Sequence, residues 1–184
     1  MARTESKMVE LGSKAVYFTL YSPTEDKELT LTSLQSDRAT LIIFMSNHCP
    51  FVKHLNSALS SFGKEYIPKG LSVIAINSND IINYPDDSPE NMIRQAEEFD
   101  FQFPYLFDET QEIAREYGAM CTPDFFLYDG DMKLRYRGQF DDSRPGNSVP
   151  VTGNDLRQAV DALLNKQLPS TEQKPSVGCG IKWK

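Results

Sequence analysis

The chain has 184 residues, 40% of them hydrophobic, with eight Tyr, eleven Phe and one Trp. That length and apolar content suit one globular domain with its own core and exclude a largely disordered chain. A formal net charge of -7, with no Lys/Arg cluster, lacks the basic field of a generic nucleic-acid or anionic-membrane binder, so neither is expected as a partner.

The N-terminal stretch from Met1 to Leu11 is polar and mixed in charge, with no apolar signal core. No stretch is long or apolar enough to span a bilayer. The expected location is therefore cytoplasmic. The cysteines are Cys49, Cys121 and Cys179, an odd and sparse set unlike a secreted disulfide framework. Each is then either a small buried hydrophobe or a reactive thiol.

In chain order, Val16–Leu20 and Leu29–Leu31 suggest an N-terminal hairpin. Ala39 to Met45, ATLIIFM, is a continuous apolar run of the length of a strand buried on both faces. Phe51, Leu55, Ala58, Leu59, Phe62 and Tyr66 then fall on one helical face, and Pro68 and Gly70 end that helix. Leu71–Asn77, LSVIAIN, is a second buried strand. Ser88-Pro89 reads as an N-cap and first helical residue, followed by a face of Met92, Ile93, Ala96 and Phe99. After an extended piece at Phe103–Phe107, Ile113, Ala114 and Tyr117 mark a short helix ended by Gly118.

Asp124–Asp129, DFFLYD, is a third buried strand. Asp129-Gly130 is a hairpin signal, and Lys133–Phe140 alternates like an edge strand. Leu156, Ala159, Val160 and Leu163 mark the last helix. This order predicts an α/β fold: a central mixed sheet with helices on both faces and an N-terminal hairpin extension. One domain over residues 1–168 and an irregular C-terminal tail over 169–184 are expected.

Cys49 follows the first buried strand and opens the first long helix. Helix N-termini carry partial positive charge and unpaired N–H groups, which favour a thiolate and make such a cysteine nucleophilic near neutral pH. Pro50 suits the first turn, His48 would assist when protonated, and Lys53 lies one helical turn on. The alternative is a buried, inert cysteine at a strand end.

The segment Phe44-Met45-Ser46-Asn47-His48-Cys49-Pro50-Phe51-Val52-Lys53-His54 resembles the active-site segment of a peroxiredoxin-like subgroup of thioredoxin-fold proteins, within the alkyl hydroperoxide reductase and thiol-specific antioxidant superfamily. The resemblance continues through Thr122–Asp129 and Tyr136–Pro145 and ends at Pro175–Cys179. It implies a thioredoxin-like domain and redox chemistry at Cys49. Typical members carry Cys-x-x-Cys where this chain has Ser46-x-x-Cys49. A local dithiol is thus excluded at this site, and the pattern is similar to the Thr/Ser-x-x-Cys of peroxiredoxins, whose hydroxyl helps to position a peroxide. Peroxiredoxins also carry an arginine where this chain has Pro123, and a proline where it has Ile42. Arg144 or Arg137 would have to supply the guanidinium. Thr122-Pro123 resembles the cis-proline loop that packs on the reactive cysteine and receives extended peptide or thiol substrates.

Two thiols are candidates to resolve an oxidised Cys49. Cys121 directly precedes the Thr122-Pro123 loop, and Cys179 lies in a Gly-flanked tail that could reach Cys49 in the same chain or in a homodimer. For each, a packing role is the alternative. No metal site is expected, since no second cysteine or carboxylate stands at a clean zinc spacing from His48, Cys49 and His54. No phosphate-cradling glycine spacing occurs, and no cofactor is expected. The adjacent acids Asp86-Asp87 and Asp141-Asp142 read as solvated surface.

The resulting expectation is a thiol-dependent oxidoreductase, a thiol peroxidase or thiol–disulfide oxidoreductase. In it Cys49 attacks a peroxide or disulfide, Ser46 and His48 tune the site, and Thr122, Pro123 and Arg144 bind substrate. Its partners would be a small-molecule peroxide or a protein or low-molecular-weight thiol. The competing expectation is a non-catalytic redox sensor or thiol-partner binding module with a degenerate Cys-x-x-Cys site.

Overall fold

The computed structural model describes residues 3–184. Strand β1 (Arg3–Glu5) precedes the hairpin of β2 (Thr19–Ser22) and β3 (Lys27–Thr30). The short helix α1 (Leu31–Leu34) then leads to β4 (Ala39–Phe44), α2 (Pro50–Tyr66) and β5 (Leu71–Asn77). Next come α3 (Pro89–Glu98), β6 (Tyr105–Phe107) and α4 (Glu112–Tyr117). The chain ends with β7 (Cys121–Thr122), β8 (Asp124–Asp129), β9 (Leu134–Tyr136), α5 (Asn154–Leu164) and β10 (Val177–Gly180).

Seven strands form the mixed central sheet in the order β3-β2-β6-β5-β4-β8-β9. β4 sits inside it, parallel to β5 and antiparallel to β8. Its side chains alternate, as the pleat requires. Leu41, Ile43 and Met45 join a core with Val52, Leu55, Leu59 and Phe62 of α2, Met92 of α3 and Leu156 and Val160 of α5. Ile42 and Phe44 join the opposite core with Ile74, Ile76, Phe126 and Tyr117 of α4. Burial on both faces is why β4, β5 and β8 read as unbroken apolar runs rather than alternating ones.

Local chemistry sets the element ends. Pro50 is the first helical residue of α2, where its missing N–H costs nothing. Ser88 caps α3 by accepting from the Asn91 N–H. Gly70 takes φ 107°, a left-handed conformation that suits glycine, and closes the turn into β5. The α2 face differs by one position from the sequence pattern: Val52 rather than Phe51 is fully buried, and Phe51 packs at the core's margin. β9 is shorter than Lys133–Phe140, because a register irregularity at Leu127/Tyr128 and the departure of Arg137 into the interior end the ladder.

Arg137 is fully buried and forms a paired contact with Asp124 through both terminal nitrogens, Nη2 at 3.0 Å from Oδ2, while its guanidinium lies 3.9 Å from the Phe126 ring centre. A lysine cannot reproduce the fork or the stacking. Arg137→Lys is expected to lower stability by about 1–3 kcal/mol, read as a lower midpoint in denaturant unfolding.

The tail departs most from expectation. Residues 169–184 are not irregular throughout, because Val177–Gly180 forms β10 in a second sheet of order β1-β10-β7. Val177, Cys179 and Ile181 are buried, and this alternation makes the segment a strand. Register pairs Arg3 with Cys179 on one side and Cys179 with Thr122 on the other.

Candidate functional site

Cys49 is the N-cap of α2, at the end of the loop that follows β4. Its side chain is fully buried. The Thr122–Pro123 peptide is cis, and it places the Thr122 carbonyl oxygen 3.2 Å from Cys49 Sγ. That carbonyl accepts from Cys49 when the group is a thiol. β10, paired with β7 just before this turn, sets Cys179 Sγ 2.7 Å from Cys49 Sγ. Two sulfurs separated by 130 positions in the chain are therefore in direct contact.

The electrostatics of the two thiols are unequal. Cys49 is lowered to about 6, first by the hydrogen bond from the Cys179 thiol. Burial opposes this, while Thr122 and the backbone amides of Val52 and Cys179 support it. Cys179 is driven up, first by donating to Cys49, then by burial and by repulsion from the Cys49 thiolate. Their contact therefore acts in opposite directions on the two thiols, lowering Cys49 and raising Cys179. Cys121 is also raised, chiefly by burial and next by Asp124. Its thiol faces Pro123 O at 3.7 Å and makes no hydrogen bond to either of the other sulfurs.

The loop before Cys49 is organised by a residue that sequence reasoning assigned to the surface. Asp87 is fully buried. Oδ1 accepts from the Asn47 N–H at 2.6 Å and the His48 N–H at 3.3 Å. Oδ2 accepts from Asn79 Nδ2 at 2.9 Å and from His48 Nδ1. His48 also stacks on Tyr84, with ring centres 5.5 Å apart. The Asp87 hydrogen bond raises His48 above its ordinary value; burial lowers it, and the charges of Asp87 and Cys49 raise it further. Burial alone would push Asp87 up, but His48 and Asn79 hold it below the usual carboxylate range. From the other side, Gln95 Nε2 bonds Ser46 O at 3.3 Å and Asn56 Oδ1 at 3.0 Å.

Other expected site residues lie elsewhere or face other partners. Ser46 is fully buried, and its hydroxyl lies 3.3 Å from Thr122 Oγ1. Lys53 is exposed. Arg144 lines a crevice with Pro123, Phe51 and His54, but its guanidinium turns back on its own loop. Nη1 bonds the carbonyls of Asp141 at 2.6 Å and Ser143 at 2.7 Å. Neither Arg144 nor the buried Arg137 hydrogen-bonds Cys49 or Thr122. Asp141, like Asp87, is buried rather than solvated: it accepts from the backbone N–H groups of Ser143, Thr152 and Gly153 and so pins the loop before α5. His54 Nε2 lies 2.7 Å from Ser143 Oγ and serves the same loop.

Residues 11–137 match the AhpC/TSA family. The chain belongs to that family. It is a member of the thiol–disulfide oxidoreductase and peroxiredoxin-like proteins with the thioredoxin-like α/β fold. An uncharacterized conserved protein from Geobacillus kaustophilus shares 53% identity, with a TM-score of 0.98 over 100% of this chain and 97% of that one. A hypothetical protein from Sinorhizobium meliloti 1021 shares 46% identity, with a TM-score of 0.96 over 98% of each chain. The thiol-disulfide oxidoreductase ResA of Bacillus thuringiensis is 24% identical over 131 residues, covering 71% of this chain and 70% of that protein. The family match stops at residue 137, so it does not include β10 or Cys179, the second sulfur of the site.

Proposed function

We propose that the protein exchanges electrons with disulfides through a two-thiol couple, with Cys49 as the nucleophile and Cys179 as the thiol that completes the exchange. The observation behind this reading is the 2.7 Å separation of the two sulfurs. A disulfide bond is about 2.05 Å long, so a small approach closes it. The Ser46-x-x-Cys49 segment lacks a local second thiol, and the C-terminal strand brings one.

The steps balance as follows. The Cys49 thiolate attacks one sulfur of a substrate disulfide RSSR and releases RS⁻, leaving a Cys49–SR mixed disulfide. Cys179 loses its proton to the departing thiolate or solvent and attacks Cys49 Sγ, releasing the second RS⁻. The substrate gains two electrons, and the protein is left with a Cys49–Cys179 disulfide that an external dithiol reduces. The low pKa of Cys49 supplies the thiolate for the first step, and loss of that charge in the mixed disulfide removes the main cause that held the proton on Cys179.

A peroxide would enter the same cycle by oxidising Cys49 to a sulfenic acid, which Cys179 would condense to the disulfide with loss of water. Disulfide exchange is favoured over this route. The Ser46 hydroxyl is engaged with Thr122, and Arg137 and Arg144 are committed to Asp124 and to loop carbonyls.

The test is turnover with a dithiol donor and either a disulfide or hydrogen peroxide as acceptor, followed by peptide mapping of the oxidised protein. A Cys49–Cys179 linkage is expected, with faster turnover on the disulfide. Rates no greater than those of Cys49→Ser on both acceptors would sink the reading.

A further inference from the structure

The site is complete, yet it is closed. Cys49 is 0% exposed and Cys179 is 1% exposed. Cys49 Sγ meets Cys179 Sγ of β10 on one side and Thr122 O of the cis-proline turn on another. β10 lies between β1 and β7, and β7 has only two residues, with no ladder to the central sheet. Among the described residues the ladders that hold β10 are short: three pairs to β1 and two to β7. By contrast, β4 is held by six pairs on each side.

Just beyond the strand Ile181 joins the core with Phe126 and Tyr117, and Val177 is buried; the other anchors are polar and lie at the strand's two ends. Ser176 Oγ donates to Pro123 O at 2.7 Å, and the Ser6 N–H donates to Ser176 O at 2.9 Å. Beyond the strand, the Lys182 N–H donates to Asn79 Oδ1 at 2.8 Å and Lys182 O accepts from Asp80 N at 2.8 Å. Gln111 Nε2 also donates to Lys182 O, and Gln111 Oε1 accepts from the Lys184 N–H. At the centre, Gly178 passes so close to the cis-proline turn that an added Cβ would lie 1.9 Å from Thr122 O and 2.6 Å from Thr122 C. These are backbone atoms that cannot swing aside, so only glycine lets the strand seat here.

We propose that β10 is a displaceable gate that determines which disulfides react, with Gly178 as the residue that lets it close. This rests on Cys49 being the nucleophile. An outside disulfide reaches Cys49 from the state in which β10 has left β7, and the departing strand exposes the backbone edge of Cys121–Thr122 beside the thiolate. Return of β10 delivers Cys179 to the mixed disulfide, and the resulting Cys49–Cys179 bond ties the gate shut until a reductant cleaves it. Strand pairings this short open locally without global unfolding. Reaction with a bulky disulfide is therefore limited by the fraction of open chains.

The test uses the full chain with Cys121→Ser and Cys179→Ser, so that Cys49 is the one thiol read, and compares it with the same chain carrying Gly178→Val. The probe is 5,5′-dithiobis(2-nitrobenzoate), followed by absorbance. Rates are corrected for thiolate fraction through titration at 240 nm, and near-UV circular dichroism checks the fold. Gly178→Val is expected to raise the rate by at least ~10-fold, because local opening sets accessibility. Gln111→Ala, which removes the bonds to Lys182 O and from the Lys184 N–H together with one to Ser78 O, is expected to raise it ~3-fold, the weight of a hydrogen bond or two. It decides the matter if Gly178→Val does not fold. Equal corrected rates for Gln111→Ala and its parent, or a parent rate matching that of the denatured chain, would overturn the gate. Cys49 labelling is read without turnover, so a chain that is gated but inactive would count against the proposed function and not against the gate.

Discussion

Replacing Cys179 by alanine is expected to stop the two-thiol cycle and to raise the Cys49 pKa from about 6 by a unit or more, toward the ~8.5 of a free thiol. The Cys179 thiol is the first cause of that low value, and burial, which opposes it, would remain. Serine separates the two roles. In Cys179→Ser a hydroxyl still donates to the thiolate, so the pKa should stay well below that of the alanine variant, while no disulfide can form. Both variants should accumulate the Cys49 mixed disulfide that the wild type resolves, visible by mass spectrometry after one equivalent of a small disulfide.

The pH dependence of this prediction has a definite sign. A thiol lowered in the folded state contributes stability present above the unfolded thiol value, and that contribution is lost as pH falls through about 6. The reduced wild type should therefore gain stability between about pH 6 and ~8.5 relative to Cys179→Ala. An alanine variant that keeps a midpoint near 6 at 240 nm would show that the helix N-terminus and Thr122 suffice, and that Cys179 does not tune its neighbour.

The parts of this site visible in the sequence are those that obey a local rule. ATLIIFM, LSVIAIN and DFFLYD are buried on both faces, and each is a strand of the central sheet. Ser88-Pro89 caps α3 as its residue types require, and Cys49-Pro50 opens α2. What escaped depends on distant contacts. Val177-Gly178-Cys179-Gly180-Ile181 does alternate large and small residues, a period-two signal short enough to pass for a flexible tail. Its strand character comes from β1 and β7, at the other end and the middle of the chain. Asp87 and Asp141 sit in acidic pairs whose partners, Asp86 and Asp142, are exposed, and no neighbouring residue distinguishes the buried member. The loop of Arg144 does reach Pro123, but the carbonyls around it claim the guanidinium first.

Asp87 carries the second large expected effect. Removing its carboxylate with Asp87→Ala strands the N–H groups of Asn47 and His48, Asn79 Nδ2 and a partly buried imidazole. Breaking a buried charged pair typically costs about 3–5 kcal/mol. In a chain of this size that lowers Tm by roughly 6–20 °C. Asp87→Asn is the sharper variant, since its one carbonyl oxygen can still serve the two backbone donors. Its amide nitrogen would face Asn79 Nδ2, donor against donor, and the negative charge beside His48 would be gone.

The groups facing His48 are Asp87, the Cys49 thiolate, Lys182 and the Tyr84 ring. With Asp87 neutral, burial and Lys182 both act to lower the imidazole, so its titration should move from above 6.5 to near or below it. The signs define a window. The lowered Asp87 contributes stability that is lost as pH falls through its folded value, and the raised His48 contributes stability that is lost as pH rises through its own. The wild type should therefore exceed Asp87→Asn in stability most clearly between those limits, with the gap narrowing at each end. Imidazole chemical shifts against pH read the first effect, and Tm against pH reads the second. An unchanged His48 titration would mean that the carboxylate holds the Asn47–Cys49 loop in place but does not charge it.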